Sequence, residues 1–248
     1  AGTPWTTNYT QGFTFPQAVH FYDASTGGVS GGYNLQSTSD GGTTWLNGFS
    51  GNGDSYNGIF FISPTVGFVA GQGNGSIRVI RRTVNGGATW VDQMRTTSTW
   101  AFNDIWLTSS TAGVAVGGSG NIYRTVNGIN WSSVSSGVLM NLNAVHFPTS
   151  SFGVAVGASG TITRTSDGGA TWSPVAGPTL NTLYDVFFYK RNYRICSWRF
   201  RDYSQIYQWR LLLVSCYKWR SSGLAKCLVH GCKHRLHRRH EWDDTKVY

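Results

Sequence analysis

Thr165-Ser166-Asp167-Gly168-Gly169-Ala170-Thr171-Trp172 is an octapeptide that this chain uses again and again. It returns as Thr38-Ser39-Asp40-Gly41-Gly42-Thr43-Thr44-Trp45 and as Thr83-Val84-Asn85-Gly86-Gly87-Ala88-Thr89-Trp90. A copy one residue shorter is Thr125-Val126-Asn127-Gly128-Ile129-Asn130-Trp131. Successive closing tryptophans lie 45, 41 and 41 residues apart. Self-similarity at such a period marks a repeat architecture, in which each unit buries its apolar face only against its neighbours.

Outward from the octapeptide, each repeat has the same parts. A short apolar run comes first: Ala18–Phe21, Ile59–Ile62, Asp104–Leu107, Ala144–Phe147 and Asp185–Phe188. A Gly-Val-Ala-Val-Gly run follows, at Gly113–Gly117 and Gly153–Gly157, with Gly67–Gly71 as a variant. A glycine turn leads to a third, alternating run such as Asn121–Thr125 or Thr161–Thr165, then the octapeptide, then a fourth run from its tryptophan. Short β-branched and aromatic runs separated by Gly and Asx predict antiparallel strands in tight hairpins. No segment holds a helical period over three turns, so essentially no helix is expected. Four strands in about 41 residues, repeated, predict an all-β propeller of four-stranded antiparallel blades.

The octapeptide has a physical logic. Its Asp or Asn accepts bonds from backbone N–H groups just ahead and closes the turn, while the glycines supply positive φ. Its tryptophan is a large apolar group suited to wedging between blades. The structural residues are thus Asp40, Trp45, Asn85, Trp90, Asn127, Trp131, Asp167 and Trp172. These copies resemble the Asp-box, or BNR, repeat of pattern Ser/Thr-x-Asp-x-Gly-x-Thr-Trp. That family includes sialidases, glucan-cleaving enzymes and non-catalytic propellers. The Gly-Val-Ala-Val-Gly element beside the box most resembles the photosystem II assembly factor-like group. The resemblance covers residues 1–188 and implies a fold far more than an activity, because in the family the box is a turn remote from any active site.

Composition breaks at the end of that region. Residues 1–188 hold six arginines and seven aspartates, with no lysine or glutamate. Residues 189–248 hold fourteen Lys and Arg, four Asp and Glu, and all four cysteines. The formal net charge of +9 therefore belongs to the tail. Two regions follow: propeller blades over 1–188, with a strand around Trp5 that would close the ring, and a basic Cys/His/Trp-rich tail over 189–248. The tail is expected to be the fifth and sixth repeats translated out of frame. Tryptophan has one codon, TGG, so a reading one nucleotide later always spells glycine there. Trp198, Trp209 and Trp242 then become glycines 41, 41 and 82 residues after Gly157, Gly168 and Gly160. With permitted codons, positions 189–210 can spell TKETTGYAVGGSGTIVKSTNGG, and positions 234–247 can spell TGYTGVTNGTTLKY. The parent would be a six-bladed propeller, four blades of which are recognisable here.

Candidate chemistry is sparse. Cys227, Cys232, His237 and His240 are apt zinc donors, but their spacing matches no common finger, and such residues are what a shifted frame yields. No metal and no cofactor is expected. The Arg- and Lys-rich tail implies no specific nucleic-acid site. Glycoside hydrolysis by two carboxylates needs a spaced acid pair. Asp104 and Asp185 recur at one repeat position and are the best acids available, although strand-start hydrogen bonding is their plainer role. Residues 1–188 lack glutamate and the arginine triad a sialidase needs. His20 and His146 match in the repeat and are structural. Tyr33, Tyr56 and Trp100 fall near loops and are candidate ligand-stacking aromatics. The expected function is a non-catalytic scaffold or binding module, secreted or in the periplasm or cell envelope. It would present face loops to a protein or glycan as a monomer, with no membrane span. The alternative is a glycoside hydrolase of sialidase or glucanase type.

Overall fold

A computed structural model describes residues 15–48, 53–177 and 179–188. The Trp5 strand, the Cys/His cluster and the rest of the tail lie outside them. Sixteen strands form four sheets, each an antiparallel meander in chain order. Blade 1 holds β1 (Ala18–Phe21), β2 (Gly27–Gly31), β3 (Asn34–Thr38) and β4 (Leu46–Asn47). Blade 2 holds β5 (Ser55–Phe61), β6 (Gly67–Gly73), β7 (Ile77–Thr83) and β8 (Val91–Thr97). Blade 3 holds β9 (Phe102–Leu107), β10 (Gly113–Gly117), β11 (Ile122–Thr125) and β12 (Ser132–Val134). Blade 4 holds β13 (Leu142–His146), β14 (Gly153–Gly157), β15 (Ile162–Thr165) and β16 (Ser173–Val175). The only helix among the described residues is two single 3₁₀ turns, Gly118–Gly120 and Ala158–Gly160. The molecule is an all-β propeller.

Register follows from one repeated contact. The glycine opening each second strand lies under the last large residue of the first strand. A Cβ at Gly27, Gly67 or Gly153 would come within 2.6, 2.9 and 2.6 Å of the rings of Phe21, Phe61 and Phe147. At Gly113 it would meet Leu107 at 2.2 Å. This pairing corrects the expected run in blade 2. Phe61 faces Gly67 just as Leu107 faces Gly113, so Gly58–Phe61, not Ile59–Ile62, matches the other first strands. A Cβ at Gly58 would lie 3.0 Å from Asp104 Cα in the next blade, so the first strands of blades 2 and 3 run close together there.

The core is a series of slabs between blades rather than one centre. Phe68 and Ile80 of blade 2 pack on Phe102, Ile105 and Leu107 of blade 3. Val114, Val116 and Ile122 of blade 3 pack on Leu142, Val145 and Phe147 of blade 4. Leu183, Val186 and Phe188 then cover Val154 and Val156 of blade 4. That last segment occupies the place of a fifth first strand but bears only an isolated bridge at Phe187.

The octapeptide turns share one hydrogen-bonded geometry. Asp167 Oδ1 accepts from Thr171 N at 2.9 Å and from Thr165 Oγ1 at 2.7 Å. Thr165 Oγ1 accepts from Gly169 N, and the Trp172 indole donates to Gly169 O at 3.1 Å. Gly168 and Gly169 take φ of 71° and 84°, a region that costs side chains about 1 kcal/mol or more. Asp40 repeats the pattern, and Asn85 repeats it with its amide donating to Thr89 Oγ1. The tryptophans of blades 3 and 4 lie at blade boundaries. Trp131 of blade 3 packs edge-on against Phe68 of blade 2, and Trp172 of blade 4 joins the slab shared with blade 3.

Candidate binding face

In each blade the first and third strands run one way and the second and fourth run back. The octapeptide turns and the links from first to second strands therefore share one rim, here the turn rim. The hairpins between second and third strands, and the loops joining successive blades, form the opposite loop rim.

The loop rim carries an apolar row. Phe15 before β1, Tyr33 in the hairpin between β2 and β3, and Trp100, Leu139, Met140 and Leu180 in the loops after blades 2, 3 and 4 are all exposed there. Trp100 is held ready: its backbone N–H donates to Ser98 Oγ at 3.1 Å, and Ser98 Oγ donates to Trp100 O at 3.0 Å. Its ring also lies on the backbone of Gly118, where a Cβ would approach to 3.0 Å. Described residues 98–101, 118–121, 135–141, 158–161 and 179–182 contain no Asp, Glu, Lys or Arg. The acid at this end of blade 2, Asp54, is fully buried and neutralised. It pairs with Arg95 at 2.8 and 2.9 Å and with Arg81 at 3.1 Å. Burial alone would push its carboxyl up; the Arg95 bond, the Asn74 N–H and the two guanidinium charges outweigh it, and the net shift is downward.

Of the sequence candidates, Tyr33 and Trp100 lie on this rim. Tyr56 does not: it sits within β5 with no exposed surface, packed in the slab between blades 1 and 2 beneath the Arg81 guanidinium. Its neighbourhood of loop-like Gly and Ser suggested exposure, but β5 runs for seven residues against four in β1 and five in β13, and Tyr56 lies within it.

Asp104 is committed to the frame. Its Oδ1 accepts from Ile105 N at 2.8 Å and its Oδ2 from Val145 N of blade 4 at 2.9 Å. Burial pushes its carboxyl up to about 7 against those two bonds, and the Asp185 charge adds to the rise. Asp185 is exposed and accepts from Val186 N at 2.7 Å. His20 Nδ1 likewise accepts from Phe61 N across a blade boundary, at 3.1 Å. Burial brings both His20 and His146 down to about 4.

Two inter-blade devices escaped sequence reading. Asn57, Asn103 and Asn143 each donate through Nδ2 to a carbonyl of the following first strand, Phe102 O, Leu142 O and Leu183 O, at 2.7–2.8 Å. The signal was present, since each precedes a first-strand run by one residue. The second is a ladder of rings, one per blade. His20 stacks on Phe60 (4.1 Å between centroids), Phe60 meets Trp106 (4.7 Å) and Trp106 meets His146 (4.1 Å) at tilted angles, and His146 meets Phe187 edge-on (5.0 Å).

Fold and rim define a β-propeller with an apolar row on its loop face. Among solved structures the chain is similar to YCF48 bound to D1 peptide, at 20% identity and TM-score 0.55, covering 74% of this chain and 59% of that one. It is also similar to YCF48 from Cyanidioschyzon merolae, at 16% and 0.55, covering 78% and 68%. An ancestral GH74 enzyme matches at 17% and 0.53, covering 72% of this chain and 26% of that one. The chain thus spans between a quarter and two thirds of these structures. No family model and no curated protein matches it.

Proposed function

We propose that this chain is a non-catalytic Asp-box propeller that holds an apolar stretch of another protein on its loop rim. The observation that carries the reading is the row of exposed apolar side chains on a rim whose one acid in the described loops, Asp54, is buried in ion pairs. Aliphatic and Met side chains adapt to apolar residues of a peptide. A glycan site would want flat rings flanked by fixed polar groups, and Leu139, Met140 and Leu180 offer neither. The YCF48 structure bound to a D1 peptide supports a protein ligand by analogy of fold. Against a glycosidase reading, both Asp104 oxygens are engaged by backbone N–H groups. The protein acts outside the cytoplasm, as a monomer, and its parent has six blades with the last two out of frame beyond residue 188. Sequencing the codons for 185–248 tests the frame, and a +1 frame closed by stops would refute it.

Binding is tested with immobilised arrays of apolar and charged peptides. Trp100→Ala and Leu139→Ser should each weaken apolar-peptide binding about tenfold with Tm unchanged, the loss of one well-buried contact, ~1.4 kcal/mol. Val126→Ser on the turn rim should leave it intact. Binding to glycans but not peptides, or turnover of a fluorogenic glycoside lost in Asp104→Asn, would overturn the reading.

A further inference from the structure

Five Asn–Gly pairs lie wholly within the described residues, and the fold treats one of them unlike the rest. An asparagine before a glycine can close on itself. The glycine N–H loses its proton, the nitrogen attacks the asparagine Cγ, and Nδ2 leaves as ammonia. Closure needs a side-chain amide free to swing and a glycine nitrogen free of any acceptor. Four of the five pairs are denied one or both. Asn47 Oδ1 accepts from Gln36 Nε2 at 2.7 Å, and Gly48 N donates to Leu35 O at 2.8 Å. Asn57 Nδ2 donates to Phe102 O at 2.7 Å, with Gly58 held inside β5. Asn85 Oδ1 accepts from Thr89 N, and Gly86 N donates to Thr65 O, both at 2.9 Å. Asn127 Oδ1 accepts from Asn130 N at 2.8 Å, and Gly128 N donates to Thr125 Oγ1 at 2.9 Å.

The fifth pair, Asn74–Gly75, forms the tip of the hairpin between β6 and β7 on the loop rim. Both residues are exposed, and Gly75 takes a φ of 77° with nothing within 4 Å of a Cβ built on it. Asn74 is anchored through its main chain, whose N–H donates to Asp54 Oδ1 at 3.2 Å. Its side-chain amide and the Gly75 N–H have no hydrogen-bond partner among the described residues. The tip is also tied to the rim. Ser98 N donates to Ser76 O at 2.8 Å, and Ser98 Oγ in turn accepts from Trp100 N.

We propose that Asn74 is a spontaneous modification site, which converts through a succinimide to aspartate and isoaspartate and thereby loosens the Trp100 loop. The balance is simple: the amide plus water gives the acid plus ammonia, with no oxidant, reductant or enzyme. Water opening the ring at Cγ breaks the new C–N bond and leaves aspartate. Water opening it at the main-chain carbonyl breaks the original peptide bond, so the chain runs on through Cγ and is one carbon longer. Either product adds a carboxylate to a rim whose one acid in the described loops is the buried Asp54. The longer link falls between Gly73, which pairs with Ile77 at the end of the ladder, and Ser76. A tight hairpin has no slack for the extra carbon, so Ser76 O moves away from Ser98 N.

The test incubates the full chain at mildly alkaline pH in heavy-oxygen water and maps conversion by peptide mass spectrometry. Each product then carries one heavy oxygen. Asn74 should convert at least about tenfold faster than Asn47, Asn57, Asn85 or Asn127, which wait for local opening. In concentrated urea the five rates should converge, because the selectivity is made by the fold. Comparable rates in the folded chain, or no conversion at Asn74, overturn the proposal, as does a spread of rates that persists in urea. Hydrogen exchange at the Ser98 amide tests the consequence. It should run about tenfold faster in the isoaspartyl form, the loss of one hydrogen bond. Asn74→Asp, which adds the charge without the carbon, should keep the rate of the fresh protein. An unchanged Ser98 amide in the isoaspartyl form, or equal acceleration in Asn74→Asp, overturns the link to the Trp100 loop. No peptide ligand enters these readouts, so they stand or fall apart from binding at the rim.

Discussion

At the scale of the residue, the inner strands carry titratable groups whose shifts oppose each other. Asp104 has a folded value near 7, above the unfolded carboxylate near 3.9, so the stability it allows is present below about pH 4 and lost as pH rises to 7. His20 and His146 have folded values near 4, below the unfolded 6.5, so stability is lost as pH falls from 6.5 to 4. Between pH 4 and 6.5 the two histidines leave the unfolded state two protons richer, and Asp104 leaves it one poorer. The net is one proton, so stability rises with pH across this window. Asp104→Asn should double that slope and remove the decline between pH 6.5 and 7. Urea melts at half-unit pH steps would show it; parallel slopes for the two proteins would mean Asp104 does not titrate in this window. The octapeptide acid behaves differently. Three hydroxyl and amide donors at Asp167, the Thr171 side chain foremost, hold its carboxyl well below the usual range despite exposure. Asp167→Asn should be mild, because Asn85 fills the same role in blade 2, whereas Asp167→Ala removes every acceptor. Equal losses in Tm for the two variants would contradict this account of the turn.

At the scale of the element, the shortened octapeptide of blade 3 shows what one residue is worth. In the full copies the tryptophan indole donates to the carbonyl of the second glycine, three residues back. In the short copy that position falls on Gly128, the first glycine, and the buried Trp131 Nε1 has no partner among the described residues. Leaving a buried donor unpaired costs about 1–3 kcal/mol. Inserting a glycine after Gly128 restores the spacing and should stabilise the protein by about 1 kcal/mol, seen as a rise in the chemical-denaturation midpoint at constant m. A fall in midpoint would show that the short loop is the better fit to Phe68. This element also marks how far the sequence could be read. The turn chemistry of Asp40, Asn85 and Asp167, the strand order and the wedge tryptophans were legible, because turns and alternation are local. The one-residue shift of blade 2 and the burial of Tyr56 were not, since strand register and the packing of Tyr56 with Leu35 of blade 1 join residues far apart in the chain. The loop rim was half legible: Tyr33 and Trp100 stood out as aromatics, while Leu139, Met140 and Leu180 share a face only once four blades are placed side by side. For Asp104 the repeat position was evident, but its use as a clamp on Val145 lies 41 residues away and leaves no local trace.

At the scale of the whole molecule, stability is the sum of neighbour contacts along an arc, as in other repeat arrays. Each boundary has its own slab, its Asn-to-carbonyl bond where one is described, and one rung of the ring ladder. Cooperativity between the two halves therefore passes through the boundaries flanking Trp106, whose ring touches both Phe60 of blade 2 and His146 of blade 4. Trp106→Ala removes two rungs at once and leaves a cavity between first strands, at a cost of about 3 kcal/mol. The effect on mechanism is larger than the number suggests, because a linear array weakened at one link separates into two folding units. In the parent protein, amides of β5 and β13 should exchange at one common rate-limiting free energy. In Trp106→Ala they should part, with blades 1 and 2 opening independently of blades 3 and 4, and the denaturation curve should broaden. Native-state hydrogen exchange at graded denaturant resolves the two strands directly. If β5 and β13 stay coincident in the variant, coupling runs through the outer slabs and the octapeptide turns, and the ring ladder is only packing.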